Sequence, residues 1–491
     1  MNNGYLKVGA GIPEVIAGGI YHNAQLIKKL IIDLHAQGVE IAVFPEMCLY
    51  GASHSSISAQ NTVADECEQA LLEIADFTKN RKILCTIGLP LRVEDKILNC
   101  VAMVGMGKIW GIIYQNKHNQ KMHFGEIALG DYMIPFSDTA IMRGACTLPV
   151  NISVIIGNNL LPHNNCANIV LNPYSADLSF KNDLDSIRVL SSTPYRAIIS
   201  VCGSLYKSPF ADKNGVIAEC GQILIKMAEE QYIIADIDIE RIIGLRTLNE
   251  VQAFYNNTFM EIPIEENTSN IISRKYYRLP YTNEQDYNRI YQRLVDSLYS
   301  VMKHTKKRIA LEQKQHFWLL LSIISDMCKK YFINPKDIAV LIFDNNTDNN
   351  LINSLGFYLE TISLDNISDN LKNAAILDWA QKNNAFLLGS HDRGDYLTHN
   401  IKNTCVNLLI NFNKTYLFAL LENRRKYDPN WIEILSLNQI DITDVLNDFF
   451  IFHYLDNGLS AEKVRILSEQ TFDDLPATKI MEQWNSLIDR L

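Results

Sequence analysis

Short apolar runs alternate with amphipathic helical segments along most of the chain, and this alternation restricts the fold more than any other feature. The run 5–12 predicts a strand, and residues 23–36 carry leucine and isoleucine at helical spacing before Gly38. A second helix is predicted over 67–80 and a third near 182–193. Further strand-like runs lie at 41–45, 83–91, 97–105, 108–115, 152–156, 168–172, 197–203, 215–218, 222–227 and 232–238. The alternation predicts an α/β domain with many strands, which ends near residue 265.

A polar, helix-poor stretch follows this first domain. Residues 264–284 contain Glu-Glu-Asn-Thr-Ser-Asn and then Arg-Leu-Pro, a composition typical of a linker. The pattern then restarts with long helices and short apolar runs, which favours a smaller, doubly wound α/β domain. The predicted organisation is residues 1–265 as the first domain, 266–284 as the linker and 285–491 as the second domain.

Composition and charge exclude several classes of protein. The 491 residues include 45 Lys and Arg against 55 Asp and Glu, so the net charge is −10 and polyanions such as nucleic acid or anionic membranes are not attracted. Ten cysteines are scattered without a C-x-x-C pair, which favours free thiols over a zinc site or a disulfide framework. No signal peptide or spanning helix is visible. We therefore expect a cytoplasmic protein with no nucleic-acid or membrane partner and no metal.

Four motifs of the first half occur in the order of a known fold. They are Phe-Pro-Glu at 44–46, Asn-Lys at 116–117, Phe-Gly-Glu at 124–126 and Asn-Ile-Val-Leu-Asn-Pro at 168–173. Together they resemble the nitrilase fold, in which the first motif presents a catalytic glutamate and the second a catalytic lysine. The resemblance implies an N-terminal nitrilase-like domain with α-β-β-α layers.

The second half resembles the synthetase domain of NAD synthetases. The motifs are Leu-Leu-Gly-Ser-His-Asp-Arg-Gly-Asp at 387–395, Asn-Lys-Thr-Tyr-Leu at 413–417, Asp-Val-Leu at 444–446 and Gly-Leu-Ser-Ala-Glu-Lys-Val at 458–464. A nitrilase-like half followed by such a half is the arrangement of the glutamine-dependent NAD synthetase family. The resemblance covers about residues 5–470 and implies a second domain of the adenine-nucleotide α-hydrolase-like type.

The family resemblance implies a Glu–Lys–Cys triad for the glutaminase reaction. Glu46 matches the general base and Lys117 the lysine, with Lys121 four residues further on as the alternative. The nucleophile position falls in Val-Ile-Ile-Gly-Asn-Asn at 154–159, where Gly157 replaces the cysteine, or Ile156 if the register shifts by one. Loss of such a nucleophile lowers the rate by about 10⁶-fold in a well-studied hydrolase. Glu46 and Lys117 are therefore expected to be remnants of the triad.

Two other thiols lie near these motifs along the chain. Cys48 is two residues beyond Glu46, and Cys166 begins the strand of the Asn-Pro motif. Neither is at the position of the family's nucleophile, so a relocated nucleophile is not expected.

The nucleotide loop of the synthetase family is also altered. That loop, Ser-Gly-Gly-x-Asp-Ser, needs glycines so that backbone N–H groups can approach a pyrophosphate. Here the matching segment is Glu-Gln-Lys-Gln-His-Phe at 312–317, with His316 in place of the aspartate and Lys314 interpreted as a solvated helix-start residue. Asp395 retains an acid where the family binds metal, although a surface turn explains it equally well. We expect no bound cofactor.

These expectations favour a catalytically inactive homologue that serves as a structural or regulatory subunit. Its partners would be a second copy of itself or an active NAD synthetase. Alternatives are a repurposed amide-forming or amide-cleaving enzyme that uses Glu46, Lys117 and Asp395, a residual NAD synthetase, and a nucleotide-binding sensor. A polar cavity converging on Glu46 would favour the repurposed enzyme.

Overall fold

The computed structural model forms two compact units. They are Met1–Lys275 with Asp456–Ser460, and Tyr276–Leu455 with Ala461–Leu491. The structure describes residues 3–51, 61–116, 124–139, 141–144, 148–157, 166–175, 184–203, 214–251, 259–262, 274, 276, 278, 284–312, 315–342, 349–361, 369–398, 406–427 and 440–491. The boundaries 265 and 285 stay predictions, because most of the linker segment lies outside these ranges.

Within the described residues, the first unit contains two β-sheets and four helices. Its strands are β1 (Tyr5–Gly11), β2 (Ile41–Val43), β3 (Leu84–Val93), β4 (Lys96–Gly105), β5 (Lys108–Tyr114), β6 (Phe124–Leu129), β7 (Tyr132–Ser137), β8 (Ile141–Gly144), β9 (Asn151–Val154), β10 (Ile169–Ser175), β11 (Ala197–Gly203), β12 (Asn214–Glu219), β13 (Gln222–Lys226), β14 (Tyr232–Asp238) and β15 (Phe259–Ile262). Its helices are α1 (Ile20–Ala36), α2 (Asn61–Phe77), α3 (Leu184–Ser192) and α4 (Ile239–Leu248). The strand orders are β14-β1-β2-β3-β4-β5-β7-β6 and β13-β12-β11-β10-β9-β8-β15.

Three apolar cores place these elements in four layers. One core joins side chains of both sheets, such as Val8 of β1 and Ile199 of β11, so the sheets pack face to face. A second core packs α1 and α2 on the outer face of the first sheet, and a third packs α3 on the outer face of the second sheet. The α-β-β-α layering confirms the predicted nitrilase-like first domain.

A buried ion cluster lies where β12 and α4 come together. The Glu219 side chain is fully buried and accepts hydrogen bonds from the guanidinium groups of Arg241 at 3.0 Å and Arg274 at 2.6 and 3.0 Å. It also accepts the backbone N–H of Asp238 at 2.7 Å. One carboxylate therefore connects α4, the end of β14 and residue 274.

The second unit is a parallel sheet with helices on both faces. Its strands are β16 (Arg308–Glu312), β17 (Ile338–Ile342), β18 (Tyr358–Thr361), β19 (Ala385–Gly389) and β20 (Val406–Asn407). Its helices are α5 (Glu284–Thr305), α6 (Phe317–Tyr331), α7 (Asn349–Ser354), α8 (Asp369–Lys382), α9 (Arg393–Thr398), α10 (Lys414–Tyr427), α11 (Ile442–Phe450), α12 (Ala461–Thr471) and α13 (Ala477–Ile488), with a 3₁₀ turn at Pro335–Asp337 and a π-helical turn at Ile451–Asp456. The strand order β18-β17-β16-β19-β20 confirms the predicted doubly wound domain.

Several elements were missed by the sequence patterns. The hairpin of β6 and β7 has exposed residues at its turn, including Tyr132 and Met133, so its apolar face is short. Helix α4 follows β14 without a break, and the continuous apolar pattern through both concealed the boundary. Asp238 marks that boundary, because its side chain accepts the N–H of Arg241 at 3.0 Å and caps the helix.

Among the helices of the described ranges, none has the length and apolar character that crossing a membrane requires.

Candidate functional site

The Phe-Pro-Glu motif lies directly after β2, as the sequence predicts. Glu46 is partly exposed, and both of its carboxylate oxygens accept hydrogen bonds. Oε1 accepts Nδ2 of Asn99 at 2.5 Å, and Oε2 accepts the backbone N–H of Ser175 at 3.0 Å. The carboxylate is therefore held in position by β4 and by the end of β10.

The turn that carries Glu46 lies against β3 at Gly88. A Cβ atom at Gly88 would lie 2.4 Å from the backbone N of Met47 and 2.6 Å from the carbonyl oxygen of Pro45. The carbonyl of Gly88 also accepts the N–H of Leu49 at 3.0 Å. The position of Glu46 thus depends on the absence of a side chain at residue 88.

Two amide side chains connect Glu46 with the predicted nucleophile position. Asn99 Nδ2 also donates to Oε1 of Gln115 at 3.1 Å, and Gln115 Nε2 approaches the carbonyl oxygen of Ile156 at 3.4 Å. Asn99 is buried, and both amides end or interrupt apolar strand runs. A lone polar residue in such a run is the signal by which the sequence could have identified them.

Gly157 is held tightly in the turn after β9. Its N–H donates to the carbonyl of Pro173 at 3.0 Å, and its carbonyl accepts Nδ2 of Asn172 at 2.9 Å. Its φ is +91°, a backbone conformation that L side chains rarely adopt, and a Cβ there would lie 2.6 Å from Nε2 of Gln115. A side chain at residue 157 therefore meets backbone strain, and it also requires the flexible end of Gln115 to move.

The two thiols nearest to these motifs are not activated. Burial raises the pKa of the Cys48 thiol to about 12, and that thiol donates to the carbonyl of Gly88 at 3.7 Å. Burial also raises the pKa of Cys166. Because the thiolate is the nucleophilic form, both environments oppose nucleophilic attack.

The third predicted member of the triad, Lys117, lies outside the described residues, as does Lys121. The structure therefore brings Glu46 and the loop of Gly157 together through Asn99 and Gln115. The roles of Glu46 and Lys117 as triad remnants stay predictions.

In the second unit, polar side chains meet where the sheet changes direction. The chain builds β16, β17 and β18 on one side and then returns to place β19 and β20 on the other side of β16. Ligands of open α/β sheets bind at this point, beyond the carboxyl ends of the strands. Here those ends lead to His316 after β16 and to Asp392 after β19.

The carboxylate of Asp392 is the centre of this group. Asp392 is 2% exposed, and its Oδ2 lies 3.0 Å from Nε2 of His316 and 3.1 Å from Nε2 of Gln315. Its Oδ1 accepts the N–H of Asp395 at 2.9 Å at the start of α9. The sequence pointed to Asp395, but in the structure Asp392 makes these contacts, while Asp395 lies 3.8 Å from Nδ1 of His391.

A second buried carboxylate, Asp448, lies close to this group. It accepts the N–H of Thr415 at 2.6 Å at the start of α10. Burial raises its pKa to about 6, and the charges of Asp392 and Asp444 add to the shift, which the hydrogen bond from Thr415 opposes. Within the described ranges, no group of three or more His, Cys, Asp or Glu side chains could hold a metal ion.

We expect Asp448→Asn to change how stability depends on pH. The folded pKa of about 6 lies above the ordinary 3.8, so ionisation penalises the folded state above pH 6 and not below pH 4. As pH rises from 4 to 7, the variant should gain roughly 2 kcal/mol of unfolding free energy relative to the parent chain. Hydrogen exchange of α10 and α11 across this pH range measures it. Asp489→Asn, at an exposed residue directly after α13, is the control, and parallel pH curves for Asp448→Asn and the parent chain would contradict the prediction.

The fold defines a two-unit α/β protein with a nitrilase-like first unit. No family model matches the chain. The glutamine-dependent NAD(+) synthetase of Mycobacterium leprae is 26% identical over 168 residues, 32% of this chain and 25% of the relative. That of Aquifex aeolicus is 24% identical over 252 residues, 47% of this chain and 42% of the relative. The chain is thus a homologue of glutamine-dependent NAD synthetases, which confirms the resemblance, and its match spans less than half of these relatives.

Solved structures of the same types are similar to the chain. The glutamine-dependent NAD(+) synthetase of Cytophaga hutchinsonii has a TM-score of 0.42 at 14% identity, over 97% of this chain and 90% of that one. A mutant amidase of the nitrilase superfamily from Nesterenkonia has a TM-score of 0.37 at 14% identity, over 48% of this chain and 92% of that one.

Proposed function

We propose that the protein is a catalytically inactive homologue of glutamine-dependent NAD synthetase that acts as a structural or regulatory subunit. The observation that carries this proposal is Gly157, which has no side chain at the position that matches the family's nucleophile and whose φ of +91° disfavours one. The raised pKa values of Cys48 and Cys166 oppose a substitute thiol.

The second unit supports the same proposal. The buried carboxylate of Asp392 lies where an open α/β sheet binds its ligand, and a negative charge there repels phosphate. His316 and Gln315 both contact that carboxylate, so their side chains occupy the segment in which related synthetases have glycines. Both features oppose binding of ATP.

A subunit role is supported by the intact cores of both units. Side chains such as Ile199 in the first unit and Leu320 in the second are fully buried. We expect the purified chain to assemble with itself or with an active NAD synthetase. Light scattering of the chain alone and of its mixture with such a synthetase measures the mass of the assembly. A monomeric chain that does not bind the synthetase would contradict the expectation.

The catalytic part of the proposal is tested by direct assay. We expect the full chain to release no ammonia from glutamine and to form no NAD from its deamidated precursor with ATP, Mg²⁺ and ammonia. Gly157→Cys should also stay inactive, and so should Gly157→Cys with Gln115→Ala, because removal of the amide leaves the strained φ unchanged. Ammonia release by either cysteine variant would show that the glutaminase site lacks only the nucleophilic thiol, and it would contradict this expectation.

One observation favours an alternative, a repurposed amide-forming or amide-cleaving enzyme. Glu46 is partly exposed and is held by Asn99 and Ser175, as a general base would be. Turnover of an amide that Glu46→Gln abolishes would replace our proposal with this one. Turnover or stabilisation that requires ATP would instead favour a residual synthetase or a nucleotide sensor.

A further inference from the structure

A cavity of about 250 Å³ lies at the opposite end of the second sheet from Gly157. It is lined by Asn151, where β9 begins, by Asn168, directly before β10, and by the last turn of α4. Gly157 follows the other end of β9. The cavity therefore shares no residue with the group around Glu46 and is independent of the function proposed above.

The wall formed by α4 carries a positive charge. Arg246 lines the cavity, and its Nη1 donates to the carbonyl oxygens of Pro194 at 3.0 Å and Tyr195 at 3.3 Å, which fixes the guanidinium in place. Arg196, which is 2% exposed, lies close enough that burial and the charge of Arg246 lower its pKa to about 10. Arg246 in the lining, with Arg196 near it but outside the lining, thus makes this side of the cavity attractive to an anion.

The opposite charge is also present among the lining residues. Glu250 lines the cavity from the exposed turn after α4. A ligand that places an anionic group on Arg246 therefore meets a carboxylate in the same cavity. A simple anion is repelled by that carboxylate, whereas a ligand with a positive group as well is bound at both ends.

A buried amide adds a requirement for a hydrogen-bond donor. Asn151 is 5% exposed, and its side-chain oxygen accepts no hydrogen bond from the described residues. Asn168 differs, because its oxygen accepts the N–H of Asn151 at 2.8 Å and its Nδ2 donates to Pro149 at 2.6 Å. Asn151 lines the cavity, so a ligand N–H that reaches this oxygen would satisfy it.

We propose that this cavity binds a small zwitterion of the α-amino acid type. Its carboxylate contacts Arg246, and its ammonium group donates to Glu250 and to the side-chain oxygen of Asn151. The size agrees, because pockets for drug-sized ligands begin at about 300 Å³ and this cavity is slightly smaller.

Thermal unfolding of the full chain tests the proposal. The probes are the individual L-amino acids, with acetate and methylammonium as half-ligands, at constant ionic strength. At least one amino acid should raise the unfolding temperature in a saturable way, because a ligand that binds only the folded state stabilises it. No saturable rise with any amino acid, or an equal rise with acetate alone, would overturn the proposal.

Variants locate the binding site. Glu250→Gln, at an exposed position where folding is not at risk, should weaken the affinity at least tenfold, and Arg246→Gln should do the same. Leu248→Gln is the matched control, because Leu248 is 55% exposed at the same helix end and does not line the cavity. Glu46→Gln should leave binding unchanged. Binding that is lost in Glu46→Gln and kept in Glu250→Gln would place the ligand at the other site and overturn the proposal.

Discussion

Glu219→Ala is expected to lower the unfolding free energy of the first unit by about 3–5 kcal/mol. The Glu219 carboxylate is fully buried between the guanidinium groups of Arg241 and Arg274. Its removal leaves two partly buried positive charges without their shared partner, and it also removes the acceptor for the N–H of Asp238. Removal of one charge from a buried ion cluster costs more free energy than the intact cluster contributes to stability. The reason is that the remaining charges stay desolvated without their partner.

Hydrogen exchange measured by mass spectrometry resolves this effect, because it reports β12 and α4 separately from the second unit. The matched control is Glu73→Ala, which removes an ion pair with Lys28 at 3.5 Å where the Glu73 side chain is 44% exposed. That change should lower stability by less than about 1 kcal/mol. Equal effects of the two substitutions would show that the buried cluster contributes no more than a surface pair.

Gly88→Ala is expected to destabilise the first unit by about 3 kcal/mol, the upper end of the range for an overpacked site. The added methyl group would lie 2.4 Å from a backbone nitrogen and 2.6 Å from a backbone oxygen, which cannot move independently of the turn that carries Glu46. The turn must shift away from β3, and the hydrogen bond from Leu49 to the carbonyl of Gly88 weakens with it.

Urea denaturation, followed by hydrogen exchange in β2 and β3, measures the loss. Gly125→Ala is the control, because it makes the same chemical change in β6, where a Cβ meets nothing within 4 Å. The control should be neutral or slightly stabilising, since alanine restricts the unfolded chain more than glycine does. If Gly88→Ala were as neutral as Gly125→Ala, the close approach to β3 would not be what holds the turn that carries Glu46.

The periodicity of apolar residues predicted many of the strands and helices because it is a local property, whereas the four layers followed from the resemblance to the nitrilase fold. The sequence also placed Glu46 correctly, since Phe-Pro-Glu directly follows a buried strand. The contacts of Glu46 could not be predicted in the same way. Asn99 is 53 residues away and Ser175 is 129 residues away, so both contacts depend on strand order and register.

The contacts in the second unit could not be predicted from the sequence either, but for a different reason. The sequence showed that glycines were absent before α6, and it drew attention to Asp395 as a retained acid. The structure instead brings Asp392 to His316, 76 residues apart, because β19 lies beside β16 in the sheet. Neighbouring acids in one loop look alike in sequence, and only the turn at the end of β19 determines which one faces β16.

The pairing of His316 with Asp392 has an evolutionary consequence. Any change of this pair by single substitutions begins either with the loss of His316 or with the loss of Asp392. The first step leaves a buried carboxylate without its imidazole neighbour, and the second removes the acceptor of the N–H that starts α9. Either single loss is therefore expected to be destabilising, so the segments after β16 and β19 are energetically coupled and tolerate change most easily when both change together.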